Sequence, residues 1–267
     1  MGTCDDHEDG GGADLGGEVH SGAGVNSRSL MDGSRSTSHL GPMTSHLQPY
    51  AGPLTVNQIA EGIAAAQANA LRLIEDARVL LEAGRFPTVA ALAVLAIEER
   101  GKVIILKRMV LLHEPAHLKA AWKEYRSHRA KSAGMILPEL ILDGARTMAA
   151  MAPAVDADTE RTGLLNAVKQ VSLYTDCLGD RHWTVPEDVA DEELARSMLR
   201  AAEGMWGARP VPLRELELWA DLVGPHYGRA SMLEAVIQFQ RAMLAEGLSE
   251  THPKVLAAFM LGEPVEL

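Results

Sequence analysis

The chain has 267 residues, enough for one large domain or for one domain and a tail. It is 47% hydrophobic but only 4% aromatic, which favours a helical protein packed by small and straight-chain side chains. The formal net charge of −11 argues against a protein that coats nucleic acid generally.

The cysteines and the lack of long apolar runs indicate the cellular compartment of the protein. Cys4 and Cys177 form no CxxC pattern, which speaks against a zinc ribbon or a disulfide scaffold and favours a reducing cytoplasm. No apolar run reaches the roughly 18 residues of a membrane span, and the N-terminus is acidic and Gly-rich, unlike a secretory signal. We therefore expect a cytoplasmic protein without a membrane partner.

Residues 1–53 form the first segment along the chain. They are rich in Gly, Ser, Asp and His and show almost no apolar periodicity. Such a segment cannot bury enough surface to offset the entropy of ordering it. The sequence predicts a disordered tail here.

Two long helices follow the tail. Apolar residues recur at steps of three and four from Ile59 to Leu81, which predicts an amphipathic helix capped by Thr55 or Asn57 and ended by Gly84. Pro87 then suits the first turn of a second helix, whose apolar stripe runs to Val110. Because the connection is short, we expect the two helices to pack as antiparallel neighbours.

The rest of the chain also has a helical pattern. We expect a third helix from Pro115, bent near Gly134 and Pro138 before Leu140–Met148. Further helices are predicted at Glu160–Tyr174 and at residues 188–205, separated by a turn-rich connection, and shorter ones to the end. No strand is expected. The predicted domains are the tail (residues 1–53), an antiparallel helical bundle (54–206) and a C-terminal helical extension (207–267).

Charge is distributed unevenly over this framework. Residues 98–131 hold four acids and nine bases, while residues 132–267 hold twenty-one acids and eleven bases. The basic block contains Glu98-Glu99-Arg100-Gly101-Lys102 and Arg126-Ser127-His128-Arg129-Ala130-Lys131. On charge alone, this block fits either a solvated helix face or a phosphate-binding surface.

The first motif ends an apolar segment, where carboxylates are costly to bury unless they are paired. Glu98 and Lys102 are spaced to pair on one helix face, and Glu98 or Glu99 can orient a histidine or a cation from the third helix. Gly101 indicates a close helix approach at this level, because a mid-helix glycine is otherwise unfavourable.

The second motif presents His128 and Lys131 on one helix face. His128 can act as a general acid or base, and Lys131 and Arg126 can stabilise negative charge on a phosphate. The candidate catalytic residues are therefore His128, Lys131, Glu98 and Glu99. The candidate RNA- or phosphate-binding residues are Arg126, Lys102, Arg129, Tyr174 and Asp176. A polar cluster that only locks helices together remains an alternative.

Three blocks in this order resemble the AbiV-type abortive infection proteins of the HEPN superfamily. They are Ala96–Lys102, the segment from Trp122 through His128 to Lys131, and Lys169–Asp176 followed by Trp183 and Pro186. The resemblance covers roughly residues 65–205. It implies a HEPN-like bundle, a homodimer, and a phage-defence role in which infected cells stop growth or translation.

Many HEPN proteins are metal-independent ribonucleases, so the resemblance also implies RNA or the translation machinery as a partner, and a phage protein as an activator. Their usual signature is an arginine followed by histidine after four to six residues. In this chain Arg126 precedes His128 by only two positions, whereas Arg108 and His113 have the expected spacing.

Two other functions fit the residues. The chain can be a non-catalytic interaction protein that binds a phage or host protein, or a helical module that binds a nucleotide or RNA. No cofactor is predicted. A metal site is not predicted either, because the Glu-x-x-His spacing of bundle di-iron sites occurs only at Glu114 and His117.

Overall fold

A long first helix, α1 (Val56–Glu82), begins at a side-chain cap. Thr55 Oγ1 accepts a hydrogen bond from the backbone of Gln58, and the Gln58 side chain accepts one from the Thr55 backbone, which forms a capping box. The helix ends before Gly84, whose φ of 69° is the left-handed conformation that glycine adopts without steric cost. The apolar stripe from Ile59 to Ala77 is buried, as the periodicity predicts.

Helix α2 (Phe86–Met109) is the centre of the structure. It packs against α1 along its length and also against helices from later in the chain. Because neighbours surround it, buried residues occur on all its sides, and they include the polar Glu98 and Arg100. Our computed structural model describes residues 48–136, 140, 143–145, 147–152, 160–205 and 207–263.

The predicted third helix is two helices in the structure. Helix α3 (Pro115–Arg126) ends at Ser127, whose extended backbone breaks the helix. The Ser127 Oγ accepts a hydrogen bond from the Ala130 N–H and caps the short helix α4 (His128–Ser132). A 3₁₀ turn, Ala133–Ile136, follows. After this break, His128 and Lys131 face Glu98 of α2.

Among the described residues four helices follow, and the last three of them pack against α2. They are α5 (Met148–Met151), α6 (Glu160–Leu173), α7 (Pro186–Val189) and α8 (Glu192–Gly204), which Asp191 caps. The predicted Leu140–Met148 helix is not continuous: residues 143 and 144 form a turn, in which Gly144 has a left-handed φ of 91°, whereas residues 141, 142 and 146 lie outside the described residues. Residues 153–159 of the loop before α6 and residues 1–47 of the predicted tail also lie outside them.

The connection between α6 and α7 corrects the expectation that the chain has no strand. Strands β1 (Asp176–Leu178) and β2 (His182–Thr184) form an antiparallel hairpin in which Cys177 pairs with Trp183. Each strand has only three residues. That is too short for the alternating pattern that would predict a strand from sequence.

The C-terminal part is helical. It contains α9 (Leu213–Val223), a 3₁₀ turn at Gly224–His226, α10 (Met232–Ala245) and α11 (Pro253–Met260). Buried Glu215 of α9 pairs with Lys107 of α2 at 2.6 Å and with Arg209 at 2.6 Å. Apart from the short hairpin, all regular elements of the described residues are helices, which confirms the predicted all-α fold. Across the described ranges, no helix combines the length and apolar character needed to cross a membrane.

Candidate functional site

The carboxylate of Glu98 is the centre of a polar cluster inside the bundle. Lys169 Nζ of α6 donates to Glu98 Oε1 at 2.6 Å, and Lys131 Nζ of α4 lies 3.1 Å from Oε2. His128 Nδ1 lies 2.7 Å from the same Oε2. Two helices, α4 and α6, thus bring three side chains to one carboxylate of α2, and we call Glu98, His128, Lys131 and Lys169 the Glu98 cluster.

Gly101 makes this convergence sterically feasible. A Cβ placed at this position would lie 1.7 Å from the carbonyl oxygen of Lys131 and 2.6 Å from its carbonyl carbon. The backbones of α2 and α4 therefore touch one turn from Glu98, and only glycine fits at the contact. This confirms the close approach that Gly101 predicts.

Burial and charge act in opposite directions on Glu98. Burial alone would raise the pKa of this carboxyl, but the hydrogen bonds from Lys169 and His128 and the positive charge of Lys131 outweigh it. The pKa of Glu98 therefore lies below its ordinary value, and the group is ionised at neutral pH. Two ammonium groups face one carboxylate, so the cluster has surplus positive charge even when His128 is neutral.

The ionised state of Glu98 determines which ring nitrogen of His128 carries the hydrogen in the neutral imidazole. His128 Nδ1 has two close polar neighbours, Glu98 Oε2 at 2.7 Å and Lys169 Nζ at 3.0 Å. An ionised carboxylate can only accept hydrogen bonds. His128 Nδ1 therefore carries a hydrogen and donates a hydrogen bond to Glu98 Oε2, while the Lys169 ammonium donates to Oε1. In the neutral ring, Nε2 is then the free base.

The imidazole is the accessible part of the cluster. The His128 side chain is 54% exposed, whereas those of Glu98, Lys131 and Lys169 are nearly fully buried. Within the described part of the chain, Nε2 has no hydrogen-bond partner. A buried carboxylate that orients a histidine with one free nitrogen at the surface is an arrangement suited to proton transfer.

Of the predicted site residues, the structure brings Glu98, His128 and Lys131 together. The predicted pair between Glu98 and Lys102 is wrong: Lys102 Nζ bonds Glu99 at 2.6 Å and lies 5.3 Å from the centre of the Tyr125 ring. Glu98 points inwards to partners on other helices, which leaves the partly exposed Lys102 to its neighbour Glu99.

The other predicted binding residues lie outside the cluster. The Arg126 guanidinium stacks on Trp122 at 5.1 Å and donates to the backbone carbonyls of Trp122 and Tyr50. Arg129 lies near α6, with Nη2 3.9 Å from the position of a Cβ at Gly163.

Tyr174 and Asp176 are also separate from the cluster. Both are exposed after the end of α6, and Asp176 accepts a hydrogen bond from the Cys177 N–H at 2.7 Å. Neither contacts the Glu98 cluster through a hydrogen bond or an ion pair among the described residues.

The alternative arginine–histidine pair has surroundings different from those of the Glu98 cluster. Arg108 forms an ion pair with Glu124, and His113 is exposed in the connection between α2 and α3. Glu114 and His117, the metal-like spacing, are exposed nearby. In the portion that the structure describes, no three His, Cys, Asp or Glu side chains gather closely enough to hold a metal ion.

Sequence reasoning did not assign Lys169 to the site, although it is the most buried cation of the cluster. A signal was present: Lys169 interrupts the inner face of α6, four residues after buried Leu165 and three before buried Ser172. A lysine at a core position needs a buried counter-charge, which is Glu98.

Comparison with known families supports the resemblance noted from the motifs. The HEPN_AbiV family model, described as AbiV, matches residues 58–207, which contain all four residues of the Glu98 cluster. Comparisons with curated proteins and with solved structures give no significant match. Since the family match spans more than half of the chain, this protein belongs to the AbiV family of HEPN proteins, which points to antiphage defence by abortive infection.

Proposed function

We propose that this protein is an abortive-infection effector that arrests growth or translation by cleaving RNA without a metal ion, with His128 as the proton-transfer residue. The observation that carries the proposal is the Glu98–His128 contact. Its 2.7 Å hydrogen bond fixes the ring through Nδ1 and leaves Nε2 free on a half-exposed side chain.

In the proposed reaction, His128 Nε2 takes the proton of a ribose 2′-hydroxyl. The 2′-oxygen attacks the adjacent phosphorus, the bond to the 5′-oxygen breaks, and the imidazolium returns its proton to that leaving oxygen. The products are a 2′,3′-cyclic phosphate and a free 5′-hydroxyl, and no redox partner is needed.

Glu98 and the lysines have supporting roles in this scheme. Glu98 stabilises the imidazolium that forms, because its carboxylate lies next to Nδ1. Lys131 and Lys169 balance Glu98 and add one surplus positive charge beside the ring, where the phosphate gains negative charge in the transition state. Buried charges do not reorganise during the reaction, which makes this stabilisation effective.

The family resemblance and the basic block of residues 98–131 support the accompanying proposals about partners. We propose that the protein acts as a homodimer on RNA or on the translation machinery, and that a phage protein activates it. These proposals do not depend on a cofactor.

The direct test replaces His128 with Ala and measures growth arrest during phage infection together with the integrity of cellular RNA. We expect cleavage to fall by about 10²- to 10⁴-fold, the typical contribution of a general acid–base group. The half-exposed ring can be removed without opening the core, so the helical circular dichroism should be retained.

His113→Ala is the matched control, because His113 has the family's arginine–histidine spacing but lies in an exposed connection. It should keep full activity. Loss of cleavage in His113→Ala but not in His128→Ala would refute the proposed site. Full growth arrest with intact RNA in His128→Ala would favour the non-catalytic interaction protein.

A further inference from the structure

The hairpin between α6 and α7 has a surface that the proposed reaction does not use. All residues from Leu173 to Trp183 are exposed. A two-stranded hairpin has little stability by itself, and this one is held at its ends by α6 and α7. Its side chains are thus free to contact another molecule.

Aromatic side chains are prominent on this exposed segment. Trp183 is 67% exposed and Tyr174 is 60% exposed, although the whole chain contains only eleven aromatic residues of the Phe, Trp and Tyr types. Leu178 in β1 and Val189 in α7 are exposed as well. Trp and Tyr with this exposure are typical of the central contacts of protein interfaces, where they supply large apolar area at low entropic cost.

The charge around the aromatics is strongly negative. Residues 174–193 contain seven acids and one base, Arg181. Asp180, Glu187 and Asp188 are exposed, and none of them forms an ion pair with a described residue. This is the reverse of the basic block 98–131, and such a field repels the phosphates of RNA.

Aromatic faces combined with unpaired carboxylates favour one kind of occupant. Lysine and arginine side chains gain cation–π energy over Trp and Tyr faces, and they neutralise neighbouring carboxylates at the same time. Aliphatic side chains between the cations would cover the exposed Val189.

We propose that the hairpin surface, formed by Tyr174, Trp183 and the carboxylates of Asp180, Glu187 and Asp188, binds a cationic segment of another protein in which basic and aliphatic residues alternate. This site is separate from the Glu98 cluster. Lys169 of that cluster lies within the last two turns of α6 before Tyr174.

The test measures binding of a short fluorescent peptide, in which Arg alternates with Leu, to the full chain by anisotropy. We expect binding that weakens with added salt. Trp183→Ala should weaken it about tenfold, the effect of losing one central interface contact. The double variant Glu187→Gln, Asp188→Asn should weaken it and reduce its salt dependence, and it keeps the hairpin aromatics in place.

Val79→Ala is the matched control, since Val79 is as exposed as Trp183 but lies on α1. Binding should be unchanged in this variant and in His128→Ala, which separates this proposal from the proposed catalysis. A peptide with Glu in place of Arg should not bind. Equal affinity of wild type and Trp183→Ala, or tighter binding of an oligo-uridine than of the cationic peptide with dependence on Trp183, would overturn the proposal.

Discussion

The Gly101 contact gives the sharpest test of the site's architecture, because local and tertiary effects there have opposite signs. A mid-helix Gly→Ala change normally stabilises a helix by about 1 kcal/mol. In Gly101→Ala the new Cβ would lie 1.7 Å from the Lys131 carbonyl oxygen, whereas ordinary contact begins near 3.4 Å. The backbones of α2 and α4 must therefore separate by about 1.7 Å, because neither atom can rotate away.

This displacement determines the size of the effect. Forcing a group into a packed interior costs about 1–3 kcal/mol, and losing hydrogen bonds to a charged group costs a further ~1.5–3 kcal/mol. A shift of this size is enough to break the 2.7 Å contact between His128 Nδ1 and Glu98. After subtracting the helix-propensity gain of about 1 kcal/mol, we expect the free energy of unfolding to fall by about 1.5–5 kcal/mol.

The assay is urea unfolding followed by helical circular dichroism, with Gly62→Ala as control. Gly62 also lies within a helix, but a Cβ there would be 3.5 Å from a Leu106 methyl group, which is ordinary contact. Gly62→Ala should raise the stability by about 0.5–1 kcal/mol. If Gly101→Ala stabilises the protein as Gly62→Ala does, the backbone contact and the cluster built on it are not as we describe.

Two further predictions concern buried charges. Because the pKa of Glu98 is lowered in the folded state, its ionisation contributes stability above the ordinary value of 4.5, and this contribution is lost as the pH falls through the folded pKa, below 4.5. Glu98→Gln should destabilise the protein by about 3–5 kcal/mol at neutral pH, since two buried lysines lose their counter-charge. In urea unfolding measured over a series of pH values, the loss of stability below pH 4.5 that comes from Glu98 should be absent from this variant. Arg100 Nη1 donates to the backbone carbonyls of Ala202, Glu203 and Met205 at the end of α8. Arg100→Met should therefore lower the free energy of unfolding by about 2–3 kcal/mol. The control Arg72→Met, which removes an exposed ion pair on α1, should change it by less than about 0.5 kcal/mol. Equal effects of the two substitutions would contradict the stabilising role of the Arg100 hydrogen bonds.

Local sequence signals identified most of the helices because their causes are local. The capping box at Thr55, the left-handed Gly84 and the apolar stripe of α1 involve residues within a few positions of one another. The short hairpin lacked such a signal. Its strands of three residues depend on α6 and α7 to hold their ends.

The partners of Glu98 illustrate what sequence spacing cannot decide. The i, i+4 spacing to Lys102 made that pair feasible, but a side chain buried inside a bundle pairs with whatever the neighbouring helices present. Lys169 is 71 positions away along the chain and still bonds Glu98 at 2.6 Å. The break at Ser127, after which His128 faces Glu98 of α2, was likewise not visible as a helix end.

The sequence by itself determined that the protein is all-α, that it resembles the AbiV family, and that Glu98, Gly101, His128 and Lys131 are unusual residues. Composition, periodicity and motif order carry this information because each is a property of the chain alone. Only the tertiary structure decided that Glu98 pairs with His128, Lys131 and Lys169 rather than with Lys102. The physical reason is that burial makes an unpaired charge costly, so the packing of α2 against α4 and α6 selects the partners, and that packing is set by contacts between residues far apart in sequence.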